Sequence, residues 1–336
     1  MSDLLPWIQL IIAASIILFT SKYLVKHADN IAIQTGLGRT FIGIVLLATA
    51  TSLPELATGI NSVYSLKSPD LAAGDVFGSN IFNLLIIVVL DTYSGNRPFL
   101  SDIKSISWTL PVLTIIAILI AIIAMWSSNQ ININSSSVGL LSYAIFIFFI
   151  LSMFITYNQS KNENQESDNN EEITNNKPSV KYSLLIYIIS AAIIIISSIF
   201  LSMGGEKIAH IMKWQESFVG TQLLALSTSL PELATSLAAL RLRAPELAIT
   251  NLLGSNLFNT GIVLFLDDVF YTSKPIWLDL SQIHIFNAFI AILMTCTILI
   301  TIQIKPKQKL LKFIGIESAI LVILYLISTI YTFQSG

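Results

Sequence analysis

Thr51-Ser-Leu-Pro-Glu-Leu-Ala-Thr58 recurs letter for letter at Thr228–Thr235, and each copy is followed by Gly-Ser-Asn-x-Phe-Asn, at Gly78–Asn83 and Gly254–Asn259. One functional unit is therefore written twice, as a first motif over 48–83 and a second over 225–259. Each copy sets a glutamate, Glu55 or Glu232, inside a long apolar stretch, where an ionised carboxylate is costly and marks a functional site by default. Two such acids, one per half, point to a cation site.

Around these blocks the 336-residue chain is 54% hydrophobic and 11% charged, against roughly 25% charged for an average soluble domain. That balance argues against a soluble fold. Crossing a ~30 Å hydrocarbon core takes about 20 apolar residues. Ten such runs occur, near 4–26, 38–65, 69–91, 104–127, 136–157, 182–204, 216–240, 244–267, 282–304 and 312–333. Only helices satisfy their own backbone in lipid at this span length, so the expected class is an all-α polytopic membrane protein. The first run lacks a preceding basic residue and a convincing cleavage pattern, so it is expected to be a retained span. Cys296, the sole cysteine, falls within a predicted span as a small apolar residue, which excludes an intrachain disulfide or a cysteine metal cluster.

Of the 18 basic residues, 14 fall in the loops after spans 1, 3, 5, 7 and 9, among them Lys22, Lys26, Arg39, Arg97, Lys104, Lys161, Lys177, Lys181, Arg241, Arg243 and the Lys305–Lys312 cluster. The positive-inside bias places those loops in the cytoplasm and both termini outside. Residues 158–181 are polar and acidic, too poor in apolar side chains to order themselves, and form a cytoplasmic linker. The linker divides the chain into halves at 1–157 and 182–336 with five spans each. An odd number per half reverses the entry direction, so the halves are expected to be inverted-topology repeats with an ion site near the midplane. The register agrees: Glu55 maps to Glu232 at an offset of 177 and Ser79 to Ser255 at 176, one residue being lost between the turns Lys67-Ser-Pro69 and Arg243-Ala-Pro245. Such short turns make the flanking helices antiparallel neighbours.

Pro54 and Pro231 cannot donate to the carbonyls of Ala50 and Ser227, so each helix must kink there and leave that carbonyl unpaired. Spacing by three and four gathers Ala48, Thr51 and Glu55 on one helix face, and Ala225, Thr228 and Glu232 on another. All the oxygens on offer suit hard cations; Ca²⁺ takes about 6–8 of them. Ser79 and Asn83, like Ser255 and Asn259, stand at i and i+4 and add neutral oxygens. A single Pro-Glu could be a structural kink with an interhelical hydrogen bond, and the Ser and Asn residues could be packing polar groups; the inverted repetition favours a site. His27, His210 and His284 are expected to be interfacial, and Asp91, Asp102, Asp267, Asp268 and Asp279 to be solvated caps or turns. Glu317 is expected to reach the interface, and Trp7, Trp126, Trp214 and Trp277 to form belts there.

The blocks ATATSLPELAT with GDVFGSNIFN, and ALSTSLPELAT with TNLLGSNLFN, resemble the paired repeats of the cation/Ca²⁺ exchanger superfamily, in its prokaryotic sodium/calcium exchanger branch. The resemblance implies ten helices and a four-site ion cluster between spans 2, 3, 7 and 8. It implies Glu55 and Glu232 as bidentate Ca²⁺ ligands, Thr51 and Thr228 as main-chain carbonyl ligands, and Asn83 and Asn259 lining the middle position. The carbonyls of Ala48 and Ala225, with the hydroxyls of Ser52, Ser229, Ser79 and Ser255, would complete flanking Na⁺ sites. Spans 1 and 6 would slide to expose the cluster to alternate sides. Ala50 and Ser227 depart from the glycine of many relatives. Both middle positions are Asn, where several relatives carry an acid at one, which opens the stoichiometry and any K⁺ or H⁺ dependence. Asp75 stands where the second motif has Asn251, as an extra acid near the site or as a helix cap.

The expectation is a secondary antiporter for Na⁺ and Ca²⁺, with an H⁺/Ca²⁺ or K⁺-dependent exchanger as the alternative because buried carboxylates can carry protons. Ca²⁺ and Na⁺ are then substrates; the chain would work as a monomer in a lipid bilayer, with no cofactor and no nucleic-acid partner. A channel is the rival outside exchange. An intramembrane hydrolase would need a nucleophile and base set that the sequence does not offer, so no enzyme activity is expected.

Overall fold

The computed structural model describes residues 4–35, 47–94, 97–103, 108–128, 138–164, 179–241, 245–272, 274–306, 308–309 and 314–335. All regular elements among them are helical. The principal ones are α1 (Leu5–Thr35), α2 (Ala48–Thr51), α3 (Leu53–Asn61), α4 (Pro69–Tyr93), α5 (Thr109–Ser128), α6 (Leu140–Asn164), α7 (Val180–Met212), α8 (Glu216–Thr228), α9 (Leu230–Arg241), α10 (Pro245–Phe270), α11 (Ile283–Ile304) and α12 (Ile316–Gln334). Eight of these, α1, α4, α5, α6, α7, α10, α11 and α12, are long and apolar enough to cross a bilayer, and α8 with α9 makes a ninth bent by 40°. The expected span over 38–65 begins in residues outside the described set; α2 and α3 are its described part. The linker residues 165–178, Arg39, Lys104, Lys177, Arg243 and the side chain of Asp102 also lie outside it. A polytopic, all-helical membrane protein is what these helices build.

Helix α4 runs through the middle. Phe77, Leu84 and Ile87 on it are fully buried, and so are its polar Asp75, Ser79, Asn80 and Asn83, so the helix is packed on all sides. It lies close against α8, because a Cβ on Gly78 would stand 2.5 Å from the Thr221 carbonyl oxygen and one on Gly220 2.5 Å from that of Leu71. Small residues let membrane helices approach in this way. The turn into α4 closes as expected: Lys67 takes a left-handed φ of 58° and the Ser68 N–H donates to the Ser62 carbonyl at 2.9 Å. Helices α1 and α7 pair with each other through Gln9 Nε2 donating to the Phe200 carbonyl (2.7 Å) and Asn30 Nδ2 donating to Ser183 Oγ (2.5 Å). Their outer faces, with Ile8, Phe19, Ile188 and Ile196, are exposed and apolar, which suits contact with lipid.

Two aspartates fasten the helix ends to the loops that follow. Asp91 Oδ1 accepts the Phe99 N–H (2.8 Å), while its Oδ2 accepts the Gly315 N–H (2.6 Å) and Ser318 Oγ (2.8 Å). Asp268 repeats the pattern: Oδ1 accepts the Ile276 N–H (2.6 Å), and Oδ2 the Gly139 N–H (2.7 Å) and Ser142 Oγ (2.5 Å). Asp91 and Asp268 are separated by 177 positions, whereas Ser79 and Ser255 are separated by 176. The extra residue enters between them, where α10 widens into a π-helical turn at Asn259–Val263 while α4 stays α-helical throughout.

Burial corrects several expectations. Asp91, Asp267 and Asp268 are buried, not solvated, because the loops fold back over the helix ends. Asp279 is half-buried, paired with Lys274 at 2.6 Å and accepting the Tyr271 hydroxyl at 2.6 Å. His284 is fully buried with Nε2 2.9 Å from Asp70 Oδ1, and His27 is buried beside Ser183; His210 alone is exposed. Glu317 is buried within the protein, and Trp277 is buried with its indole N–H donated to Ser142 Oγ at 2.6 Å. Cys296 is half-buried within α11.

Candidate cation site

Each Pro-Glu block breaks its helix at the same place. The first stops at Thr51, passes Ser52 at φ −90° and ψ 10°, and resumes at Leu53; the second stops at Thr228, passes Ser229 at φ −83° and ψ 4°, and resumes at Leu230. Proline, lacking an N–H, is tolerated in the first turn of the resumed helix and nowhere deeper. Glu55 and Glu232 thereby fall in the first turn of α3 and α9, where the positive end of the helix dipole favours an anion.

The two breaks face each other and exchange partners. Ser229 Oγ donates to Glu55 Oε1 at 3.5 Å, and Ser52 Oγ donates to Glu232 Oε1 at 3.4 Å. Ser255 Oγ adds a second donor to Glu232 Oε1 at 3.2 Å. The hydroxyls of Thr228 and Ser79 also face Glu55, and that of Thr51 faces Glu232. Both glutamates are fully buried, and Oε2 of each has no hydrogen-bond partner. Hydroxyls cross-link the rest: Thr51 Oγ1 lies 3.3 Å from Ser255 Oγ, and Thr228 Oγ1 lies 3.2 Å from Ser79 Oγ.

The remaining predicted residues stand nearby. The Ala48 carbonyl accepts the Ser52 N–H (2.9 Å) and Thr51 Oγ1 (3.3 Å); the Ala225 carbonyl accepts the Ser229 N–H (3.1 Å) and Thr228 Oγ1 (3.3 Å). Both carbonyls thus sit at the breaks with their lone pairs in local bonds that a cation would have to share. Asn83 and Asn259 are fully buried one turn beyond Ser79 and Ser255; Asn83 Oδ1 and both polar atoms of the Asn259 amide lack partners. Among the described residues no three His, Cys, Asp or Glu side chains form a metal-holding group. The oxygens gathered here are two carboxylates with hydroxyls, amides and carbonyls, a donor set for hard cations rather than for zinc or iron.

Three residues carry more than the sequence suggested. Asn80 and Asn256 form a ladder between α4 and α10, with Asn83 Nδ2 donating to Asn256 Oδ1, Asn256 Nδ2 to the Asn80 carbonyl, and Asn80 Nδ2 to Thr260 Oγ1, each at 3.0 Å. Their signal was visible, since both are the identical Asn of the Gly-Ser-Asn motif. Asp75 lies inside α4 and caps nothing: it is fully buried and accepts Thr228 Oγ1 at 2.9 Å, leaving Oδ2 without a partner.

The family model described as sodium/calcium exchanger protein matches residues 5–152 and 182–334. Sodium/calcium exchanger MaX1 of Methanosarcina acetivorans is 29% identical over 279 residues, covering 75% of this chain and 79% of its own. Inner membrane protein YrbG of Escherichia coli (strain K12) is 25% identical over 261 residues, 78% of each chain. A solved structure of the sodium-calcium exchanger NCX_Mj, soaked with 10 mM Na⁺ and zero Ca²⁺, shares the fold at a TM-score of 0.63 and 22% identity, covering 97% of this chain and 98% of that one. Matched on both sides of its linker, the chain belongs to the sodium/calcium exchanger protein family, which consists of cation/Ca²⁺ transporters rather than enzymes.

Proposed function

We propose that the chain is a secondary antiporter that exchanges Na⁺ for Ca²⁺ by alternating access, with Ca²⁺ held between Glu55 and Glu232. The observation that carries this is the crossed pairing, in which each buried glutamate takes a serine hydroxyl from the opposite break and keeps one oxygen unpartnered. A buried carboxylate in that condition is costly unless a cation or a proton meets it. Two bidentate glutamates with the Thr51 and Thr228 carbonyls supply about six oxygens, within the range Ca²⁺ takes. The Ala48 and Ala225 carbonyls with the hydroxyls of Ser52, Ser229, Ser79 and Ser255 offer flanking positions for Na⁺, and Asn83 and Asn259 line the middle. Both ions need the same carboxylates, so one displaces the other.

The same proposal holds the ten spans as two inverted five-helix halves, 1–157 and 182–336, with the linker 158–181 in the cytoplasm, both termini outside, and a working monomer. The matched bonds of Asp91 and Asp268 support the repeat, and the placement of basic residues supports the orientation. The α1 and α7 pair, bonded together and apolar on its outer face, is the element expected to slide. Coupling to H⁺ is the second reading, favoured by Asp75, a further buried carboxylate beside Thr228.

Reconstituted vesicles decide between them. With pH clamped, ⁴⁵Ca²⁺ uptake is expected to rise with an imposed outward Na⁺ gradient and to saturate with Ca²⁺. Uptake driven by a pH gradient and indifferent to Na⁺ would transfer the assignment to H⁺/Ca²⁺ exchange, and an ohmic current without counter-flow would make the protein a channel.

A further inference from the structure

Asp267 has no counterpart in the first half. Because the π-helical turn at Asn259–Val263 shifts the register by one, the residue corresponding to Asp91 is Asp268, and Asp267 corresponds to Leu90. π-turns inside α-helices are enriched at functional sites, and this one sets Asp267 at the place that the buried Leu90 holds in the first half. Asp267 is fully buried and both of its oxygens lack a hydrogen-bond partner. Its carboxylate lies against α3, since a Cβ built on Gly59 would meet Asp267 Oδ1 at 2.5 Å and Oδ2 at 2.9 Å. Gly59 is four residues beyond Glu55, a rise of about 6 Å along the helix.

The surroundings are of one kind. Thr58, on α3 with Glu55 and Gly59, and Ser62, which opens the π-helical turn Ser62–Leu66 directly after α3, are fully buried and each has an unpartnered hydroxyl oxygen. Asp75, on α4, is also fully buried with its Oδ2 unpartnered. Tyr64, in the turn that follows α3, packs edge-on against Phe270 at the end of α10 with centroids 6.4 Å apart. The other half is built differently at the matching places: Leu90 replaces the acid, and Asn251, in place of Asp75, donates to Thr235 Oγ1 at 3.1 Å.

We propose that Asp267, with Asp75 and the Thr58 and Ser62 hydroxyls, forms a further binding position for a hard cation, one helical turn from the glutamate pair toward the C-terminal ends of α3 and α10. Two carboxylates and two hydroxyls supply only hard oxygens, as Ca²⁺ and Na⁺ require. The position is one-sided because Leu90 leaves no equivalent on the other passage. It acts as a station for ions entering from that face. The inference rests on the exchanger reading for its purpose but not for its test.

The test disables the central pair first. ⁴⁵Ca²⁺ and ²²Na⁺ binding are measured on purified full-length E55Q/E232Q and on the same protein carrying D267N or, as a second variant, D267S. The double variant is expected to keep residual binding of at least one of the two ions, and either Asp267 substitution to weaken it at least tenfold. Superimposable isotherms overturn the inference, as does an absence of residual binding in E55Q/E232Q, and as does a D267N effect on proton uptake alone. Failure here leaves the exchange reading standing, because that is judged by vesicle flux in the unaltered protein.

Discussion

Replacing Glu55 or Glu232 by Gln is expected to lower apparent Ca²⁺ affinity at least a hundredfold, about 2.8 kcal/mol at 1.4 kcal/mol per tenfold, and to reduce exchange to background. Gln keeps the volume and an acceptor oxygen but removes the charge. Two unit charges 4 Å apart at an effective dielectric of 20 interact by about 4 kcal/mol, and a divalent ion doubles that, so a hundredfold loss is a conservative figure. Each glutamate accepts a serine from the opposite break, and Gln can keep accepting it, so the fold is expected to survive. The checks are ⁴⁵Ca²⁺ flux in proteoliposomes together with elution as an intact species in detergent. Wild-type flux in either variant would remove the glutamates from the site.

Asp268→Ala is expected to cost about 3–5 kcal/mol of stability, through the aspartate that fastens the end of α10. Two backbone N–H groups, of Ile276 and Gly139, lose their acceptor inside the protein, and each buried donor left unpaired costs about 1–3 kcal/mol. Ser142, which also receives the Trp277 indole N–H, loses its own acceptor as well. Asp91→Ala is expected to do comparable damage at the opposite end, where Phe99, Gly315 and Ser318 depend on it. Thermal unfolding in detergent should show midpoints lowered by on the order of 10 °C, while Asp268→Asn, which retains one acceptor oxygen, falls between. An unchanged midpoint for both alanine variants would mean that water replaces the carboxylates freely.

What the sequence made legible follows from what can be written in residue identities. A doubled Pro-Glu block states both the break and the charge beside it, and Ser52, Ser229, Ser79 and Ser255 could be named because they recur in register with it. The partners of those residues were another matter: that Ser52 serves Glu232 and Ser229 serves Glu55 is a crossing between halves that no spacing within one half reveals. Asp91, Asp267 and Asp268 read as solvated because hydropathy places them at span ends, whereas their burial depends on loops folding back, a tertiary event. His284 was misplaced for the same reason, its partner Asp70 standing 214 residues away. The π-turn left a trace only as the change from an offset of 176 to 177, and a single inserted residue does not say where the helix widens.

Helices α1 and α7 contain 31 and 33 residues, so they run to about 46 and 50 Å at 1.5 Å per residue, well beyond a ~30 Å hydrocarbon layer. A rod that long must lean, or push its ends into the headgroups, and the compromise changes with the thickness of the layer. If this pair is the part that travels, acyl-chain length becomes a control on turnover, favouring one end of the stroke over the other. Rates measured in lipids of a single chain length would then sample one point on a curve, with an optimum set by the membrane as much as by the ions.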